Sequence, residues 1–154
     1  MTAQLLLWGA LAVAALAAGW DVATRRIPNW SVLLLAGLAL AHSFTVGAWD
    51  DAGSAAIHAA LALVAGLLLF RFGVIGGGDA KLYTAAALGV PLAGAIPMLG
   101  YLAAAALIIF LALFVFYRGF KIRNSEGKRV SWTLPYAVPI AAAFLAVKLP
   151  LLLE

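Results

Sequence analysis

The stretch Leu82–Tyr117, LYTAAALGVPLAGAIPMLGYLAAAALIIFLALFVFY, runs for 36 residues without a charge. A helix crosses the hydrocarbon core of a bilayer with about 20 mostly apolar residues. The run is therefore too long for one crossing and long enough for two. Its middle, Gly89-Val90-Pro91-Leu92-Ala93-Gly94-Ala95-Ile96-Pro97, gathers glycine and proline, so the chain turns there. Four further charge-free runs surround it: Met1–Trp20, Ile27–Trp49, Ala52–Phe70 and Val130–Val147. Each has the length of a single crossing. The expected fold is an all-α, polytopic membrane helical bundle of six transmembrane helices. They fall at roughly 3–20, 30–47, 54–71, 80–93, 98–117 and 132–152, in one domain over 1–154. Only short loops remain between them.

Composition agrees. Of 154 residues, 66% are apolar and 10% charged, against about 45–50% and about 25% in an ordinary soluble domain. Mean hydropathy is +1.09. That leaves too little polar surface to coat a soluble globule, and far too few charges for a disordered tail. The chain has no cysteine, which excludes a disulfide scaffold and a thiolate zinc site. A net charge of +4 and a pI near 9.8 invite a nucleic-acid reading, but the distribution of the charges opposes it. With the amino terminus outside, Arg25, Arg26, Arg71, Lys81, Arg118, Lys121, Arg123, Lys128 and Arg129 share one side and Lys148 alone takes the other. Lys and Arg accumulate on the cytoplasmic side of membrane proteins, so the nine-residue side is expected to be cytoplasmic. Asp50, Asp51 and Glu154 then lie outside. Trp20, Trp30 and Trp132 fall at the inner interface and Trp49 at the outer one, as aromatic belts require. The first run has no basic segment before it and reads as a retained span, not a cleaved signal peptide. No internal repeat is visible.

Two carboxylates stand at the cytoplasmic boundary, Asp21 and Asp79. Ionisable groups within or beside a span are costly and mark function by default. The plain reading is a solvated residue at a helix end, and for Asp21 a local ion pair with Arg25 one turn later. Their settings point further. Asp21 closes the first span and leads into Val22-Ala23-Thr24-Arg25-Arg26-Ile27-Pro28-Asn29, where Pro28 fixes the exit geometry. Asp79 follows Gly76-Gly77-Gly78. Those glycines either make a tight loop or let another chain lie close against bare backbone. Span one ends, and span four begins, on the same side, so the two carboxyl groups reach the same depth from positions 58 residues apart. Two carboxylates sharing a low-dielectric site hold one proton between them. The ionised member can activate water while the protonated one polarises a carbonyl.

These residues resemble a known family. Gly76-Gly77-Gly78-Asp79-Ala80-Lys81-Leu82 resembles the G-x-G-D-x-K-L signature of type IV prepilin peptidases. Asp21 followed by Ile27-Pro28-Asn29 resembles the family's first-aspartate motif. Leu134-Pro135-Tyr136-Ala137-Val138-Pro139-Ile140 resembles its Pro-Tyr-Gly segment, with Ala137 in place of the glycine. Together, in six spans, the three motifs are specific. The resemblance implies a GxGD-type intramembrane aspartyl endopeptidase with Asp21 and Asp79 as the catalytic dyad. Gly76, Gly77, Gly78, Lys81, Pro28, Asn29, Pro135 and Tyr136 are the implied site-shaping or substrate-binding residues. Such enzymes remove short basic leaders from pilin-like precursors at the cytoplasmic face of the prokaryotic inner membrane. Long members add a segment with paired CxxC motifs and methylate the new amino terminus. Without cysteine, this chain resembles the short form, similar to peptidases of tight-adherence (Flp) pili and archaeal preflagellins. No metal or other cofactor is implied. The implied partners are a pilin or pilin-like precursor and membrane lipids.

A different function also uses intramembrane acids: a small proton- or cation-coupled transporter with Asp21 and Asp79 as its ion site. Against it, no ionisable residue continues a path through the middle of any span. A non-enzymatic assembly factor would need no pair of carboxylates. The loop Arg118–Ser131 carries five basic residues and Glu126 as its acid, which suits anionic lipid or a docked partner. His42 and His58 lie toward the outer ends of spans two and three, and two histidines alone make a poor metal site. Ser31, Ser43 and Ser54 have no base beside them. Ala103–Ala106 and Ala141–Ala143 allow close helix packing.

Overall fold

The computed structural model describes residues 1–120 and 135–153, all helix and connecting turn with no strand among them. In chain order the elements are α1 (Thr2–Thr24), α2 (Asn29–Arg71), α3 (Gly77–Ala87), a 3₁₀ turn at Leu92–Gly94, α4 (Ala95–Phe120) and α5 (Ala137–Leu153).

Alanine and leucine favour helix, and helices satisfy their own backbone where water is scarce. The breaks have local causes. Helix α1 ends at Arg25, whose left-handed φ of 57° lets its N–H reach the Asp21 carbonyl at 2.8 Å. Pro28, extended at φ −65° and ψ 136°, starts α2, and the Ser31 hydroxyl donates to the Pro28 carbonyl at 2.8 Å.

Helix α2 has 43 residues, about 65 Å if straight, yet its two ends meet. Asn29 at its start lies 3.5 Å from Lys81 of α3, while a Cβ on Gly66 near its end would sit 2.9 Å from the Cβ of Ala80. Neighbouring residues of α3 thus touch both ends of α2, so α2 folds back on itself. Its arms correspond to the span-length stretches Asn29–Gly47 and Trp49–Arg71. The Asp51 side chain closes over Gly47, in space that a Cβ would fill. Span-length apolar helix is thus found where spans two and three are expected, but the expected loop between them is helical. Gly47, lacking a Cβ, lets the backbone bend without leaving it.

The expected span at 80–93 needs correction. Helix α3 covers Gly77–Ala87, about 16 Å, which is too short to cross a bilayer. Pro91 bars helix at Val90, and the tight bonds Gly89 N–H to Ala86 O and Val90 N–H to Ala87 O, both 3.0 Å, close the last turn. Among the described residues four stretches are long and apolar enough to span: Thr2–Thr24, the two arms of α2, and Leu92–Phe116, while Ala137–Leu153 is shorter. The start of the sixth expected span, 132–134, and the basic segment Lys121–Ser131 lie outside the described residues.

The core forms where α1, the first arm of α2, α3 and α5 meet. Leu7, Ala10, Ala14 and Ala17 of α1 face Leu35, Leu82, Ala86 and Phe144. Helix α4 stands outside this core. It packs on α5 and the 3₁₀ turn, and Met98 is its one fully buried side chain among the described residues.

One end of the bundle therefore collects the end of α1, both ends of α2 and the starts of α3 and α5. Trp20 and Trp30 meet edge to face there, 6.5 Å apart. At the other end Phe44 and Trp49 do the same at 5.0 Å, and the charges of Asp51 and Lys148 act on each other.

Candidate active site

The first of these ends gathers Asp21, Pro28, Asn29, Gly76, Gly77, Gly78, Asp79 and Lys81, with Pro135 and Tyr136 leading into α5. Asp21, in the last turn of α1, is 8% exposed. Its Oδ2 accepts a hydrogen bond from the Ala137 N–H at 3.4 Å. Ala137 is the first residue of α5, so the carboxylate meets a helix amino terminus, where unpaired N–H groups favour negative charge. Pro135 lies just before that helix, its carbonyl accepting the Val138 N–H at 3.2 Å.

Asp79 is the third residue of α3. Its carboxylate reaches back to the N–H of Gly76, the residue that caps the helix, which is half of a capping box. A Cβ on Gly76 would stand 2.6 Å from Asp79 Oδ2, so glycine leaves the carboxylate room to fold over the cap. Gly77 and Gly78 lie against side chains of other elements: added Cβ atoms would stand 3.3 Å from Phe70 and 3.3 Å from Ile27 respectively. The three glycines set α3 between the end of α2 and the loop after α1. Asn29 and Lys81 are joined across the same gap, Nζ donating to Oδ1 at 3.5 Å.

The two carboxyl groups sense each other. Asp79 lies outside the four span-length stretches. Burial, and then the charge of Asp21, push its pKa up to about 6, while the hydrogen bond from Gly76 pulls the other way. A carboxyl group with that pKa carries a proton for a useful fraction of the time near neutral pH.

Asp79 opens onto a cavity of about 740 Å³ between the second arm of α2, α3 and α4. Leu61, Ala62, Gly66 and Leu69 make one wall, and Ile96, Leu99 and Ala103 the other. The cavity is a cleft open along its side, for Ile96 is 76% exposed. Tyr136, beside the Ala137 amide that binds Asp21, also lines it. Asp21 does not. It stands behind Asp79, on the α1 side.

Two cavity residues were not among the expected site residues. Tyr83 lies one turn beyond Asp79 on α3, and the i+4 spacing alone puts both on one face. His58 sits at the deeper end, its Nδ1 2.9 Å from the Val90 carbonyl. His42 instead reaches the Ala3 carbonyl at 3.1 Å. Among the described residues no group of three or more His, Cys, Asp or Glu could hold a metal ion.

Residues 8–117 match the sequence pattern of the type IV leader peptidase family. Among curated proteins and solved structures, none matches the chain.

Proposed function

The chain belongs to the type IV leader peptidase family, and on that premise we propose that it is a membrane aspartyl endopeptidase. It cuts the short basic leader from type IV pilin-like precursors at the cytoplasmic face of the prokaryotic inner membrane. One observation carries the reading: Asp21 and Asp79, from helices distant in sequence, act on each other electrostatically, and Asp79 opens onto an apolar cleft. The amino terminus lies outside in this reading. Arg25, Arg26, Arg71 and Lys81 then share the inner face with the dyad, in keeping with the positive-inside rule.

The precursor brings a basic leader followed by an apolar helix. That helix lies in the cleft between the second arm of α2 and α4, which puts the bond to be cut beside Asp79. Asp79 holds the shared proton and donates a hydrogen bond to the scissile carbonyl oxygen. The Asp21 carboxylate takes a proton from water, and the resulting hydroxide adds to the carbonyl carbon. The carbonyl oxygen takes up the Asp79 proton, giving a neutral diol. The proton held by Asp21 then passes to the amide nitrogen, the C–N bond breaks, and Asp79 recovers its proton from the collapsing diol. This is general acid–base hydrolysis with no covalent intermediate. Tyr136 and Ala137 join the two halves of the site, and Lys81 with Asn29 fixes the start of α2 against α3.

The test is cleavage of a pilin precursor in liposomes. The expected product is the truncated pilin, and Asp21→Asn or Asp79→Asn lowers the rate by about a hundredfold or more while the variant still unfolds in a cooperative thermal transition. Parental rates in either variant would remove that residue from the dyad.

A further inference from the structure

The cleft holds four polar side chains among its lining residues: Asp79, Tyr136, Tyr83 and His58. The first two belong to the site just described. Tyr83 and His58 lie deeper and have no part in the hydrolysis. Their rings meet edge to face, 6.1 Å apart. The Tyr83 hydroxyl is buried, and no described residue offers it a hydrogen bond. A buried hydroxyl without a partner is unfavourable, and native proteins seldom keep one. The His58 ring is held in place: a carbonyl only accepts, so Nδ1 donates to Val90 and carries the proton. That bond leaves Nε2 as the other hydrogen-bonding atom of the ring, an acceptor whenever the ring carries a single proton. His58 is only 3% exposed, and it reaches free space through the cleft that it lines. In the wall of an otherwise apolar cleft there thus stand a covered O–H that has no partner and an imidazole whose Nε2 does not bond Val90.

We propose that Tyr83 and His58 form a specificity recess that reads one hydrogen-bonding side chain on the apolar helix of the substrate. The inference rests on the peptidase reading of the cleft. The group it fits both accepts and donates, as a carboxamide, a hydroxyl or a protonated carboxyl does. Position follows from helix rise. Tyr83 lies four residues past Asp79, about 6 Å along α3. His58 lies eight residues before Gly66, which packs on Ala80, or about 12 Å deeper along the arm. A substrate helix running beside them presents its residues at about 1.5 Å each. The recess thus reads a position roughly four to eight residues past the scissile bond.

The experiment scans one glutamine through the leucine-rich helix of a pilin precursor, from two to twelve residues past the cut. It reads kcat/KM in liposomes relative to the all-leucine precursor. With the parental enzyme, glutamine within the four-to-eight window is expected to be favoured by about fivefold over positions outside it, the worth of roughly one net hydrogen bond. Tyr83→Phe reduces that preference to less than about twofold, whatever it does to the absolute rates. The same variant melts no lower than the parent without substrate, because it deletes a hydroxyl that lacks a partner. A hydroxyl with a purely structural role would lower the transition instead. A flat scan, or a preference that Tyr83→Phe leaves intact, overturns the recess while the peptidase reading stands. If the parental enzyme cuts none of the precursors, both readings fail together.

Discussion

Asp79 has two tasks at once: its carboxylate caps α3 through Gly76, and it is the member of the pair that burial and Asp21 hold at about pH 6. The second task has a cost in stability. A folded-state pKa above the ordinary value of 3.8 means that the folded protein binds the proton more tightly than the unfolded chain does. The stabilisation linked to that proton is complete below about pH 3.8 and lost as pH rises through about 6. Asp79→Asn cannot ionise and keeps an oxygen to accept from Gly76. Its melting temperature, compared with the parent's in detergent between pH 4 and 7.5, is expected to gain on the parent as pH rises. An advantage that is constant across the range contradicts the raised pKa. Activity runs the same way, since the reaction needs the proton: the cleavage rate declines as pH rises above about 6, giving the alkaline limb of a pH profile. Asp21→Asn removes the like charge beside Asp79. In that variant the Asp79 carboxyl, followed by infrared absorption, titrates at lower pH than in the parent.

At the scale of elements, the site depends on how closely the second arm of α2 presses on the first turn of α3. Gly66 permits that approach, because a Cβ there would come within 2.9 Å of the Ala80 Cβ, and Ala80 adjoins Asp79. Gly66→Val forces the two helices apart, at a cost of about 1–3 kcal/mol for overpacking. It also shifts Asp79, so the rate of cleavage falls more than the loss of folded protein explains. Denaturant titration and initial rates on the same preparation separate the two effects. Between these elements Gly73 turns the chain with a φ of 71°, a left-handed conformation that costs a residue with a Cβ about 1–2 kcal/mol. Much of this was legible in the sequence. Charge-free runs located the span-length helices, and the breakers around Gly89 and Pro91 marked a real turn. The glycines before Asp79 left a tight loop and a close approach both open, and Gly77 and Gly78 lie close against Phe70 and Ile27. The shortness of α3 was not legible, since apolar residues on both sides of a turn look alike to a hydropathy count. Nor was the helical fold-back of α2, because Asp50 and Asp51 suggested a loop where Gly47 allows a bent helix. Gly66 and Tyr83 act through what lies opposite them in space, which spacing along the chain reveals only in part.

For the whole molecule, the decisive question is which side of the membrane the site faces. The end of the bundle that holds Asp21 and Asp79 also gathers Arg25, Arg26, Arg71 and Lys81, and the opposite end carries Asp50 and Asp51. That segregation is what the proposed orientation requires under the positive-inside rule, and the chain suits a direct test because it contains no cysteine. Phe72, in the turn between α2 and α3, is exposed beside the site, and Asp50 is exposed at the far end. Neither makes a hydrogen bond through its side chain among those described, and a single Phe72→Cys leaves the basic residues that set orientation unchanged. A membrane-impermeant maleimide is expected to label Asp50→Cys in intact spheroplasts and Phe72→Cys only in inverted vesicles. The order matters for mechanism. A precursor still carrying its basic leader presents that leader on the cytoplasmic side, where positive residues are retained, so an enzyme facing outward could not reach the bond. Labelling of Phe72→Cys from outside would therefore end the leader-peptidase reading, even with both aspartates intact and the cleft formed. Labelling from the inside places the carboxyl pair, the mouth of the cleft and the cleavable bond on one surface, which is the geometry that the proposed reaction requires.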